Sequence, residues 1–291
     1  MAQASIPVDL FNPGQVFACL GFLEAAEVLL GDVRGRFDWT NDAASRFELC
    51  ARGTAHPVRE ALAFLQVANV KWLSPNPQLR ERDGGETEIV AGISASAEPK
   101  SPDLPGVLRG RHNALEHELA FGFWADGSGR FATTFKKSTN GASSHVRLSN
   151  GLSAIRKMDL ELAVSDPLNQ VARTESLFRL DPRGVVDPIH GGFSPDSLRK
   201  GAKGGLDMRV ATYPLCEVLA VLGLEHARPE RIDSNHFAYS VWDHWLPVTL
   251  ARAAIGASLG FSRVRRFVVE HMEVKSGGDR KITQVTEEVT A

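Results

Sequence analysis

The sequence predicts an α+β fold: mostly antiparallel sheet with packed helices, ending in a C-terminal β-hairpin. Three patterns carry that expectation. From Asn12 to Gly31 the chain offers an N-cap residue, a proline at the first helical position, apolar residues at helical spacing and a glycine stop. Several short segments alternate apolar and polar residues, as half-buried strands do. Near the end, two strand-like runs, Val264–Val274 and Lys281–Val289, flank the turn Ser276-Gly277-Gly278-Asp279.

Each element has its own justification. Ile6–Phe11 reads as a strand that feeds the first helix. In that helix Val16, Leu20, Leu23 and Leu30 recur at helical spacing, and Phe17, Phe22 and Val28 widen the apolar face. Only Glu24 and Glu27 are acidic, so the helix is expected to be largely buried. Gly35–Trp39 and Arg46–Ala51 follow as strands. His56–Val67 follows as a helix with Val58, Ala61, Leu62 and Leu65 on one face, and Val70–Leu73 as another strand.

From Ser74 to Pro105 the composition shifts to proline, glycine and charge, with Glu88–Ile93 the one strand candidate. This long excursion divides a single subunit into two lobes, 1–105 and 106–291. His117–Trp124 and Arg130–Phe135 read as a hairpin around Asp126-Gly127-Ser128-Gly129. Lys136–Gly141 is a loop, and Ser143–Val164 one long helix. Glu175–Leu180 reads as a strand closed by Asp181-Pro182. After a Gly- and Pro-rich stretch, Leu215–Leu222 is a strongly apolar helix, Asn235–Trp242 a strand and Pro247–Leu259 a helix. No internal repeat is evident.

Composition narrows the function classes. The 291 residues carry a formal net charge of −2, so nucleic-acid contact requires a local basic patch rather than a global excess. Three scattered cysteines in apolar contexts, Cys19, Cys50 and Cys216, read as buried free thiols in a reducing compartment. With no signal-peptide pattern and no apolar run of membrane-span length, a cytoplasmic location without membrane contact is expected.

No catalytic set is complete. His112 and His117 resemble a zinc-helix motif but are five apart, about 140° around a helix, and could not converge there. His236 and His244, near Asp243, could form a catalytic pair, but no nucleophile elbow accompanies them. Gly201-Ala202-Lys203-Gly204-Gly205 lacks the ending of a phosphate-binding loop. No metal or cofactor is therefore expected.

Basic residues do cluster. Between Ser128 and Lys157 lie Arg130, Lys136, Lys137, Arg147, Arg156 and Lys157, with no acid, a local charge of +6. Lys136 and Lys137 sit in a loop ahead of a predicted helix N-terminus, where backbone N–H groups and ammoniums can hold a phosphate. Asn140 would shape that loop, and Arg130 and Arg147 would flank it. Arg199, Lys200 and Lys203 form a second cluster. Arg263, Arg265 and Arg266 form a third, split by alternation because Arg265 faces away from its neighbours.

Several segments together resemble a known family. Asn12-Pro13-Gly14-Gln15 with Ala18-Cys19-Leu20-Gly21, then Phe178-Arg179-Leu180-Asp181-Pro182, then Trp242-Asp243-His244-Trp245-Leu246-Pro247 with Leu250-Ala251-Arg252-Ala253-Ala254, are similar in order to CRISPR-associated proteins of type I-U (I-G) systems. These are small, large-subunit-like components of the crRNA-guided Cascade surveillance complex in antiviral defence. The resemblance implies a non-enzymatic subunit that assembles with other Cascade subunits and crRNA. It implies help in binding and opening target double-stranded DNA, with contact at the protospacer-adjacent motif, before a separate nuclease-helicase effector cuts. Two other classes stand beside it: a stand-alone hydrolase using His236 or His244, and a structural adaptor that touches only proteins.

Overall fold

The computed structural model describes residues 1–74, 86–89, 106–121, 144–174, 177–178, 180–184, 210–233, 235–256, 263–274 and 279–288. Within them the chain is α+β. Strand β1 (Ala2–Pro7) leads to helix α1 (Pro13–Leu30), then β2 (Arg34–Asp38), β3 (Arg46–Ala51), helix α2 (Pro57–Val67) and β4 (Asn69–Ser74). Next come β5 (Glu86–Ile89), β6 (Gly106–His112), β7 (Leu115–Phe121), α3 (Ser144–Ile155), α4 (Leu160–Ser165) and β8 (Ala172–Thr174). The last part holds β9 (Val210–Thr212), α5 (Pro214–His226), β10 (Glu230–Arg231), β11 (His236–Trp242), β12 (Leu246–Pro247), α6 (Val248–Ala254), β13 (Val264–Val274) and β14 (Asp279–Glu288).

Three four-stranded sheets run in the orders β1-β3-β2-β12, β5-β4-β6-β7 and β10-β11-β13-β14, and β8 pairs with β9. Every pairing is antiparallel except β4 with β5. The halves interlock: β12, from the C-terminal half, extends the N-terminal sheet by pairing Leu246 with Gly35. Strands from both sides of position 105 share the second sheet, where Asn69 pairs with Arg109. The C-terminal hairpin forms as the alternation requires, with a register shift at Glu270/His271.

Helix α1 begins where its sequence says it should. The Asn12 side chain accepts the Gln15 N–H at 3.2 Å, Pro13 occupies the first turn, and Gly31 ends the helix at φ 70°. Residues 13 to 26 are all buried. The sequence suggested no membrane-span candidate, yet α1 is long and apolar enough to be one; its apolar surface is instead buried in the protein. Its main partner is α5, which is likewise buried from Pro214 to Leu224.

The two helices meet at a pair of glycines. A Cβ on Gly21 would lie 2.0 Å from the Leu219 carbonyl oxygen, and one on Gly223 would lie 2.1 Å from that of Phe17. Leu219 is one turn before Gly223, and Phe17 one turn before Gly21, so the crossing has nearly two-fold character. Gly14 makes a third close approach, with Leu180 and Asp181 backbone 2.7 Å from where its Cβ would be.

Around this pair the sheets are tied by specific polar contacts. The Tyr239 hydroxyl donates to the Leu10 carbonyl at 2.6 Å, and Trp242 Nε1 donates to that of Gly35 at 3.0 Å. Arg252 on α6 forms a two-point ion pair with Glu24 on α1, one arm being 2.6 Å. That pairing explains how a carboxylate only 7% exposed sits on an apolar helix. The three cysteines are buried and free, as expected.

Several elements differ from the sequence reading. The first strand is β1, ending at Pro7; residues 8–11 turn instead, because Asp9 accepts the N–H groups of Phe11 and Asn12. The helix expected over Ser143–Val164 is broken in two, since Asp159 caps α4 by accepting the Leu162 N–H at 3.0 Å. The described residues 177, 178 and 180 are not strand. The Leu180 and Asp181 N–H groups go to the Glu217 carboxylate rather than to a neighbouring strand. The predicted strand Arg130–Phe135 lies outside the described residues. The strand before it, realised as β7, pairs with β6 around Asn113 and Ala114, both at positive φ.

The glycine crossing predicts a reversal of an ordinary trend. In an open helix, glycine to alanine gains about 1 kcal/mol. Here Gly21→Ala forces the α5 backbone away, and overpacking of this kind costs about 3 kcal/mol. The variant should lose about 2 kcal/mol and melt roughly 4–8 °C lower in a thermal scan. An unchanged or raised melting temperature would show that the helices do not cross at this pair.

Candidate functional site

The sheet β5-β4-β6-β7 has two chemically different faces. On β6, Leu108 is buried, Gly110 packs against Phe64 of α2, and His112 lies 3.3 Å from the Glu60 carboxylate, also on α2. Strand alternation therefore sends Arg109 and Arg111 to the opposite face. The register places Asn69 opposite Arg109 on one side, and Glu118 and Glu116 opposite Arg109 and Arg111 on the other.

Between this face and α3 lies an open groove of about 870 Å³. Lys71, Arg109, Arg111 and Arg156 line it, together with Asn69, Ser149 and one carboxylate, Glu116; Val67, Val70 and Leu152 supply apolar floor. Arg156 is fixed in place, donating to the Ala68 carbonyl at 2.6 Å and to Asn69 Oδ1 at 2.8 Å. It thereby ties α3 to the junction of α2 and β4. Arg109 is ion-paired with Glu118 and stands 3.9 Å from Glu116. Even with Glu116, Glu118 and Glu86, which the register sets opposite Lys71, counted against the four cations, the groove keeps a small excess of positive charge. Cations held at fixed spacing on strands and a helix can bind successive phosphates.

The structure sorts the residues chosen from sequence. Arg130, Lys136, Lys137, Asn140, Arg199, Lys200 and Lys203 lie outside the described residues. Arg147 does not face solvent: it is 2% exposed and donates to the Leu177 carbonyl. It falls on the same helical side as Leu148, Leu152 and Ile155, all buried, so an external phosphate cannot reach it. Arg156, part of the +6 segment, does reach the groove. Lys71, Arg109 and Arg111 were missed. For the two arginines the signal was the alternation Val107-Leu108-Arg109-Gly110-Arg111-His112, a strand with both on one face; Lys71 had none of its own.

In the third basic cluster, alternation along β13 sends Arg265 and Arg266 to opposite faces, Arg263 precedes the strand, and all three are neutralised. Arg265 meets Asp42 and, at 2.6 Å, Glu287; Arg266 meets Glu288 and, at 2.9 Å, Glu230; Arg263 meets Asp243 at 2.9 Å.

The histidines do not assemble a catalytic centre. His112 and His117 approach after all, their rings 5.8 Å apart, because a hairpin rather than a helix joins them. Yet among the described residues no group of three or more His, Cys, Asp or Glu is placed to hold a metal ion. His236 pairs with the exposed Asp233 at 2.9 Å, and His244 lies 3.4 Å from Asp243. His236 opens β11 and His244 lies two residues past its end, so the strand, about 20 Å long, stands between them.

A polar node around Asp181 and Glu217 is buried at the start of α5. Asn12 Nδ2 donates to Asp181 Oδ1 at 2.9 Å. Arg183 clamps the same carboxylate, with Nη2 to Oδ2 at 2.6 Å, and stacks 3.8 Å over the Tyr213 ring. The Glu217 carboxylate accepts the N–H groups of Asp181 at 2.8 Å and Leu180 at 3.2 Å. Burial pushes the Glu217 carboxyl up to about 7, against the opposing pull of those N–H groups. Burial also raises the Cys216 thiol. Asp181 is fully buried and Glu217 only 3% exposed, so the node fastens a turn to α5 rather than meeting a substrate.

No family model, no curated protein and no solved structure matches this chain.

The Glu217 node sets a pH dependence. Its folded-state value lies above its ordinary value of 4.5, so the folded protein holds a proton that the unfolded chain releases. The resulting penalty is absent below about 4.5, grows as pH rises, and is complete above about 7, reaching roughly 3 kcal/mol. Glu217→Gln removes that slope. Urea denaturation across this range should show the variant gaining on wild type as pH rises; a constant difference between them would contradict the assignment.

Proposed function

We propose that the chain is a non-catalytic, nucleic-acid-binding subunit of a crRNA-guided surveillance complex of the type I-U (I-G) CRISPR kind. The observation that carries the binding part is the groove lined by Lys71, Arg109, Arg111 and Arg156. The class comes from the ordered resemblance of three segments. In this reading the subunit assembles with other Cascade subunits and crRNA, contacts target double-stranded DNA near the protospacer-adjacent motif, and leaves cutting to a nuclease-helicase effector. Each of His236 and His244 stands beside one carboxylate, Asp233 and Asp243, with no nucleophile elbow in the sequence, which weighs against the hydrolase reading that would use either. The groove's surplus of cations favours nucleic acid over a protein-only adaptor.

Contacts of this type position a duplex without reading its sequence. Lys136 and Lys137 lie outside the described residues, and their part in binding is tested directly.

The test is a titration of the full chain, and of Lys71→Ala/Arg111→Ala, with a short DNA duplex at two salt concentrations. The double variant should bind more weakly on all sequences, and its dependence of log affinity on log salt should fall by about two. Lys136→Ala/Lys137→Ala tests the adjoining segment in the same way. Unchanged affinity and slope for Lys71→Ala/Arg111→Ala in a folded protein would remove the groove from the interface. No binding by wild type even at low salt would favour the adaptor.

A further inference from the structure

Resting on the reading of the groove as a phosphate contact, we propose that Glu116 and Glu118 are built-in competitors for its cations. They are not incidental surface acids: the β6–β7 register places Glu118 directly across from Arg109, and Glu116 directly across from Arg111. Arg109 is ion-paired with Glu118 and lies 3.9 Å from Glu116, which itself lines the groove. The hairpin that supplies both arginines therefore also supplies an anion for each, on the same face.

The arrangement has a definite electrostatic effect. A phosphate that approaches Arg109 must either displace the Glu118 carboxylate or sit beside it as a like charge, and either event weakens binding. In the strand register Lys71 stands between Val107 of β6 and Glu86 of β5, while Arg156, on the chain just after α3, is held by the Ala68 carbonyl and Asn69 Oδ1. Arg156 supplies attraction that Glu116 and Glu118 do not oppose directly, while Arg109 and Arg111 engage only when a polyanion out-competes their cross-strand partners. The groove is thus set to hold free duplex weakly. Full engagement falls to a duplex presented at high effective concentration, as one tethered within an assembly would be.

Glutamine keeps the shape of glutamate and can still accept a hydrogen bond from arginine, so Glu116→Gln/Glu118→Gln isolates the charge. The full-length variant and wild type are titrated with a short DNA duplex of random sequence at two salt concentrations, with thermal melting as the folding control. The variant is expected to bind about three- to tenfold more tightly at low salt, and its salt slope to steepen by about one. Glu161→Gln/Glu230→Gln, which removes the same charge from ion pairs outside the groove, is expected to change affinity by less than about twofold. If this control tightens binding as much, the effect is one of net charge and the proposal fails. If Glu116→Gln/Glu118→Gln binds like wild type while Lys71→Ala/Arg111→Ala weakens, the competition is refuted and the groove reading stands. If neither groove variant changes binding, both fall together.

Discussion

The crossing of α1 and α5 at Gly21 and Gly223 sets the distance on which the remaining layers depend. With a methyl group at either position the helix backbones would have to separate, because each missing Cβ points at a main-chain carbonyl that has no rotamer to yield. The close approach lets two helices that are apolar nearly all round bury one another. The sheets then close over what is left. Phe17 packs edge-on against Tyr239, and Tyr239 stacks on Phe267, so the third sheet is seated on the helix pair. Glu24, otherwise an untenable charge on such a helix, is neutralised by Arg252 from the far half of the chain.

The segments that carry the family resemblance converge on this same centre. Asn12 caps α1 and holds Asp181, while Gly14 lies flat against the Leu180–Asp181 backbone. Trp242 reaches Gly35, Leu246 pairs with that same residue, and Arg252 reaches Glu24. These motifs are distinctive because each solves a packing or hydrogen-bonding problem that few residues can solve. They specify architecture. The groove is built elsewhere, from two ordinary strands and an ordinary helix, and its residues carry no comparable signature.

Elements governed by local chemistry were legible: the Asn12-Pro13 start and Gly31 stop of α1, the alternation of β3, the turn-flanked β13–β14 hairpin. The failures arose where a distant group took over a local preference. Residues 175–180 have strand-like composition, but Glu217 claims the N–H groups at Leu180 and Asp181. Met158 and its neighbours continue a helical pattern until Asp159 caps the following turn. Arg147 looked like one cation among six, and only the side of α3 that packs inward reveals it as buried. The groove cations were harder still. Lys71 and Arg109 come from positions far apart in the chain and meet through the β4–β6 register, which no single stretch of sequence encodes.

The partnership of Gly21 with Gly223 also fixes an order of events during synthesis. About 200 residues separate the two, and closing a loop of that length costs roughly 5 kcal/mol of chain entropy before any contact is gained. At ribosomal rates of about 5–20 residues per second, α1 waits on the order of 10–40 s for α5 to be made. Throughout that interval its most apolar surface has no native cover. The nascent chain therefore carries a greasy, exposed helix for most of its birth, and shielding that helix falls to chaperones or transient local collapse until the second half arrives.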